Sequence, residues 1–248
     1  MSSYVQLLDG STEWPAGIGD GFGLQIGFAN TNLASNSNAG LATIGIDLAG
    51  GTTYTDWISN VICGPTSNVE DGYTQYYFPI RIPNGASLGI KAQGGSATPP
   101  ANPDCQFKIF CKPTRPECIR VGSFVRTYGA VTATSEGTAV TPGGVSEGTY
   151  VELGTLADEI WGWEFGVTCT AAAIGAAVSH TDIAVGDATN KIRVIRNHVT
   201  THGTSEVMAK LMTAFQFGEG PNGSKVYGRM QMEGTQTGCS LIAYGIGG

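Results

Sequence analysis

The strongest pattern along this chain is an alternation of apolar residues with polar residues or glycine. "FGLQIGF" places Phe22, Leu24, Ile26 and Phe28 on one side and Gly23, Gln25 and Gly27 on the other. "WGWEFGV" does the same with Trp161, Trp163, Phe165 and Val167 against Gly162, Glu164 and Gly166. A period of two predicts strands with one buried face. Glycines on the opposite face weaken a strand unless a loop, a neighbouring strand or another subunit approaches closely. "YYFPIRIP", "QFKIF", "NKIRVIRN" and "SLIAYGI" read as further strands, separated by turns at Asp9, Asp20, Asp71 and two "PNG" triplets. One short helix is expected, in "TSEVMAKLM" with Ser205 as its N-cap.

The same blocks occur twice in the same order. "PNGASLGIKAQ" at Pro83 matches "PNGSKVYGRMQ" at Pro221, which sets Lys91 over Arg229 and Gln93 over Gln231. "YVQL" at Tyr4 matches "YVEL" at Tyr150, Phe22 falls on Trp161, "WISNVI" on "VIRNHV", and "CQFKIF" on "CSLIAY". Collinear matches point to duplication, and recurring blocks of this kind decide how a fold is read. The expected fold is all-β: two tandem antiparallel β-sandwich, jelly-roll-like domains related by internal duplication. The first spans residues 1–128 and the second 129–248, with a Gly/Thr/Ser-rich N-terminal arm at about 129–149. Each "PNG" reads as a hairpin corner, because Pro presets φ and Asn or Gly accepts a positive one.

Composition narrows the function classes. Charged residues are 13% of 248, the net charge is −7 and there are 37 glycines, so no nucleic-acid partner is expected. A surface dressed in Ser, Thr, Asn, Gln and Gly suits packing against copies of itself. No run of apolar residues is long enough for a membrane span, and "MSSYVQLLDG" does not read as a signal peptide, so synthesis and assembly in a cytosol are expected. The six cysteines form no CxxC pair. Most read as buried thiols, whereas Cys111 and Cys118 in "CKPTRPEC" flank a charged, Pro-containing loop and are the candidate disulfide or intersubunit crosslink.

No catalytic constellation emerges. His198 and His202 stand four apart, but the β-branched residues between them disfavour a helix and HExxH is missing, so no metal site is expected. "GIGDGFG" has Phe22 where a dinucleotide loop needs its third glycine, and a strand follows it, so no cofactor is expected. Asp158, Glu159 and Glu164 gather near Trp161 and Trp163, but Glu164 alternates with the aromatic residues and reads as a solvated or intersubunit group. "NGS" at Asn222 fits a glycosylation pattern but falls within a turn. The chain reads as a non-enzyme. Its candidate surface residues are Trp14, in the loop of "STEWPAG", and Lys91 and Arg229, which either snorkel on a solvent face or pair across a subunit contact.

"GTAVTPGG" followed by "YVEL" and an aromatic strand ending in Gly-Val, together with "PIRIPNGASLGIKAQ", resembles the small β-sandwich modules of tailed-bacteriophage virion proteins. The resemblance covers both halves. It implies a virion protein of decoration, neck/collar or fibre type, assembled in the host cytoplasm, whose partners are copies of itself and other virion proteins. The alternative is a carbohydrate- or receptor-binding module on the virion surface, with Trp14 or Tyr54 stacking on a host glycan.

Overall fold

The computed structural model describes residues 3–14, 16–29, 40–63, 74–94, 104–111, 120–132, 135–169, 177–202, 213–233 and 238–248. It is all-β. The expected helix at 204–212 lies outside the described residues. The strands are β1 (Val5–Leu8), β2 (Gly21–Ala29), β3 (Gly40–Asp47), β4 (Thr55–Ile62), β5 (Thr74–Phe78), β6 (Ser87–Gly94), β7 (Asp104–Cys111) and β8 (Phe124–Tyr128). After them come β9 (Thr138–Val140), β10 (Val151–Thr155), β11 (Ile160–Cys169), β12 (Ala177–Gly186), β13 (Lys191–His202), β14 (Gln216–Gly220), β15 (Lys225–Met232) and β16 (Cys239–Gly247).

Four antiparallel sheets result. In the first half β1-β6-β3-β4 faces β5-β2-β7; in the second, β10-β15-β12-β13 faces β14-β11-β16-β8, with β9 also on β16. Adding nine to each strand number of the first pair of sheets reproduces the corresponding strands of the second. Leaving β9 aside, the second half has eight strands in two sheets ordered as in a jelly roll. Its eighth strand is β8, which lies before the boundary expected at Tyr128 yet hydrogen-bonds along β16, Tyr128 opposite Ala243 and Phe124 opposite Gly247.

Details recur at matching positions. Asn60 and Asn197 both take positive φ, 57° and 46°, and β4 and β13 bulge nearby. Gly85 and Gly223 have φ of 82° and 86°, and Ala86 and Ser224 donate back to the Pro83 and Pro221 carbonyls at 3.1 Å. This is a turn with glycine at its positive-φ position. It is not a hairpin corner, however. β5 and β6 belong to different sheets, as do β14 and β15, so each "PNG" carries the chain across its sandwich.

The apolar face of β2 behaves as the alternation requires, with Leu24, Ile26 and Phe28 buried between the two sheets of the first half. On β11, Trp163, Phe165 and Val167 fill the second core, but Trp161 joins the first. Against β14 the extra residue lies on β14, between Phe217 and Gly220, whereas a bulge between Ile160 and Gly162 inserts one residue of β11 against β16. That shifts the phase of alternation and turns Trp161 to the opposite face.

Two further sequence expectations change. Cys169 and Cys239, read as thiols, are joined by a disulfide; they stand directly opposite on β11 and β16 with Cα atoms 3.9 Å apart. Cys111 is not bonded to any described cysteine, and Cys118 lies outside the described residues. The match of "CQFKIF" to "CSLIAY" slides by two in the ladders. Phe28 faces Cys105 whereas Val167 faces Leu241, so Cys105 corresponds to Leu241 and Lys108 to Tyr244.

Candidate functional site

Strand β11 is buried along its whole length, on both faces. One face meets its own sandwich. The other meets the first half at Glu164 and Gly166, whereas a Cβ on Gly162 would strike Phe215 of its own half. A Cβ on Gly166 would come within 2.8 Å of Ile62 Cδ1 and 3.1 Å of the Tyr76 hydroxyl. Only a backbone without a side chain lets β4 and β5 approach so closely.

β4 is the last strand of its sheet, so its outer backbone groups need partners. Side chains of the second half supply several. The Tyr244 hydroxyl donates to the Asn60 carbonyl at 2.7 Å and accepts from the Ile62 amide at 3.2 Å. Thr127 Oγ1 donates to the Ser59 carbonyl at 2.8 Å. Asn60 Nδ2 donates to the Thr132 and Ser135 carbonyls at 2.8 and 3.0 Å, tying the start of the arm to β4. From the first half itself, the Tyr76 hydroxyl donates to the Ile62 carbonyl at 2.8 Å. Burial, foremost, pushes the Tyr76 and Tyr244 phenols far above the usual tyrosine range, so both stay protonated as these bonds require.

Glu164 belongs to this interface. It is fully buried and is neither solvated nor intersubunit as expected. Its Oε2 accepts from the Phe165 amide at 3.2 Å and its Oε1 from the Tyr77 amide of β5 at 3.4 Å. Asp158, its neighbour in sequence, instead pairs with Arg126 at 2.9 Å on the surface. The three carboxylates therefore form no common cleft. Among the described residues, no group of three or more His, Cys, Asp and Glu side chains is placed to hold a metal ion.

The singled-out cations occupy matching places on the outer sheets. Lys91 Nζ pairs with Asp56 of β4 at 2.6 Å and lies 4.9 Å from the Tyr4 ring centre. Burial opposes ionisation of Asp56, but hydrogen bonds from Lys91 and Tyr4 hold its carboxyl below the ordinary value. Arg229 stacks 4.4 Å from Tyr150, the counterpart of Tyr4, and reaches Asp182 of β12 through Nε at 2.9 Å and NH2 at 2.7 Å. Arg229 also pairs with Glu147, and Arg193 bridges the same two carboxylates. Asp182 is only 2% exposed and accepts the Asn197 amide at 2.6 Å, which anchors the β13 bulge. Both cations are thus partnered within the chain.

Trp14 donates its Nε1 to the Ala86 carbonyl at 3.0 Å and packs on the first core, clamping its loop to its own half. Tyr54 lies against Tyr4, ring centres 5.0 Å apart. What sequence reasoning missed is the first-half counterpart of the buried β11 face. There Gln25, Gln75, Gln106, Phe107 and Lys108 line a shallow cavity of about 200 Å³. Gln25 faces Lys108 across the ladder as Glu164 faces Tyr244. The signal was present in "FGLQIGF" over "WGWEFGV".

No family model and no curated protein matches this chain. Three solved structures show distant likeness. PNGF-II shares 9% identity at a TM-score of 0.38, over 92% of this chain and 57% of its own, so this chain spans little more than half its length. Broad Bean Stain Virus shares 10% identity at a TM-score of 0.36, covering 93% and 76%. The VP2 subviral particle of infectious bursal disease virus shares 13% identity at a TM-score of 0.27, covering 94% and 58%.

Proposed function

We propose that this chain is a structural protein that works by packing one β-sandwich module against another, as a component of a virus particle. One observation carries the reading: a glycine-backed sheet face in the second half is built to receive the edge of the first half. We further infer that the halves are copies of one module, the changeover falling before Phe124 because β8 pairs with β16. A duplicated module presents two sets of surfaces per chain with which to meet neighbours.

The setting in a tailed-phage virion, as a decoration, neck/collar or fibre-type protein, follows from the resemblance of "GTAVTPGG", "YVEL" and "IPNG". Glycan binding loses its best residue, since Trp14 is engaged with Ala86. The test is sedimentation and negative-stain electron microscopy of the purified chain over a range of concentrations, and mass spectrometry of purified particles carrying it. Multimers, and the chain within particles, are expected. A monomer at every concentration that is also missing from the particles would overturn the reading.

A further inference from the structure

The junction between the halves surfaces in a run of aromatic rings. Phe110 of β7 packs edge-on against Tyr77 of β5 at 5.6 Å between ring centres, Tyr77 against Phe215 at 5.9 Å, and Phe215 against Phe217 of β14 at 5.1 Å. The run thus leaves the first half and ends on β14, the outer strand of its sheet. There Phe217 is 71% exposed. Its ring lies on buried Trp161, 5.9 Å between centres and 21° from parallel, so it is held in place before any partner arrives. The Arg120 guanidinium sits 5.0 Å from the centre of the Trp161 ring. Burial alternates along β14, so Glu219 is exposed on the same side as Phe217. Neither Arg120 nor Glu219 is ion-paired among the described residues.

We propose that Phe217, with Arg120 and Glu219 near it, is the centre of a two-fold contact with a second copy of this chain. This rests on the module-packing reading above and names the surface and the partner. The aromatic run is continuous with the contact already made between the halves, in which Trp161 joins the first core and Phe215 packs against it. A second copy extends that contact outwards. A rigid exposed aromatic ring with an arginine nearby is the composition on which interface energy concentrates, and a ring already stacked gives up little conformational freedom on binding. The charges select the partner. A two-fold contact needs a patch complementary to itself. This one carries one cation and one anion, so that Arg120 of each copy meets Glu219 of the other around the paired Phe217 rings.

The test is sedimentation equilibrium of the chain and its variants. Phe217→Ser is expected to weaken association by about tenfold or more, with thermal unfolding at low concentration verifying that the fold is kept. Arg120→Glu and Glu219→Arg each set like charges together twice across the two-fold axis, and each is expected to weaken association about tenfold. An equimolar mixture of these two variants restores both ion pairs and is expected to associate as the unmodified chain does. If the unmodified chain forms multimers that Phe217→Ser leaves unchanged, or the two charge variants do not recover on mixing, the docking assignment is wrong while the packing role stands. Retention on a glycan array that depends on Phe217, by a chain that stays monomeric, would assign the patch to a sugar and overturn the proposal. A chain that is monomeric at every concentration and also missing from the particles overturns the packing role as well.

Discussion

Tyr244→Phe isolates the energetic content of the contact between the halves. The ring remains, and with it the edge-on packing against Tyr76 and Phe78 at centroid distances of 5.7 and 5.9 Å. Only the hydroxyl is lost, which orphans the Asn60 carbonyl and the Ile62 amide. Each buried orphan costs about 1–3 kcal/mol, and the longer bond to Ile62 counts at the low end, so about 2–4 kcal/mol is expected in total. For a chain of this length each kcal/mol lowers the Tm by about 2–4 °C. Calorimetry, with urea unfolding alongside it, measures both quantities. Tyr128→Phe is the control: its hydroxyl is buried without a hydrogen-bond partner among the described residues, so its removal is expected to leave stability unchanged or raise it by up to about 1–3 kcal/mol, never to lower it. Equal effects of the two substitutions would refute the idea that side-chain bonds to the β4 edge hold the halves together.

Three other outcomes follow from the same structure. Asp182→Asn leaves Arg193 and Arg229 without their shared carboxylate and is expected to cost about 3 kcal/mol in urea unfolding, whereas Asp56→Asn, at a half-exposed pair, costs less than about 1 kcal/mol. Replacing Cys169 and Cys239 by alanine opens a crosslink between residues 70 apart, and the chain-entropy cost of about 4 kcal/mol should appear as a lower urea midpoint. Alkali should destabilise the fold. Burial, with Asp158 beside it, raises the Tyr128 phenol to about 12, and burial raises Tyr76 and Tyr244 further. The unfolded chain therefore ionises first, so stability is full below about pH 10 and falls as pH climbs through 12; a Tm that stays flat over that range would contradict the burial of these phenols.

Local chemistry was legible in the sequence and long-range pairing was not. The period of two in "FGLQIGF" identified the buried face of β2, and each "PNG" marked a turn with a positive-φ glycine. Neither says which sheet the next strand joins, so the crossing between sheets read as a hairpin. A single bulge residue sent Trp161 to the other core, because alternation carries no information about where an extra residue enters the ladder. Cys169 and Cys239 are separated by most of a module in sequence, and only the β11–β16 register makes them neighbours.

Glu164 shows most directly where sequence reading stops. An acidic residue alternating with aromatic ones was correctly placed on the face away from its own core. From there a solvent-facing role was the natural expectation, since an unpaired buried carboxylate is costly. The flanking Gly162 and Gly166 argued the opposite, that something comes close, and the structure sides with the glycines. The amides of Phe165 and Tyr77 make the burial tolerable. Gln25 has the same neighbours in sequence, Gly23 and Gly27, and there too glycine marks a close approach, since a Cβ on Gly23 would come within 2.6 Å of the Tyr77 hydroxyl. A glutamine cannot ionise, so placing it at such a position carries a lower desolvation cost than a carboxylate does.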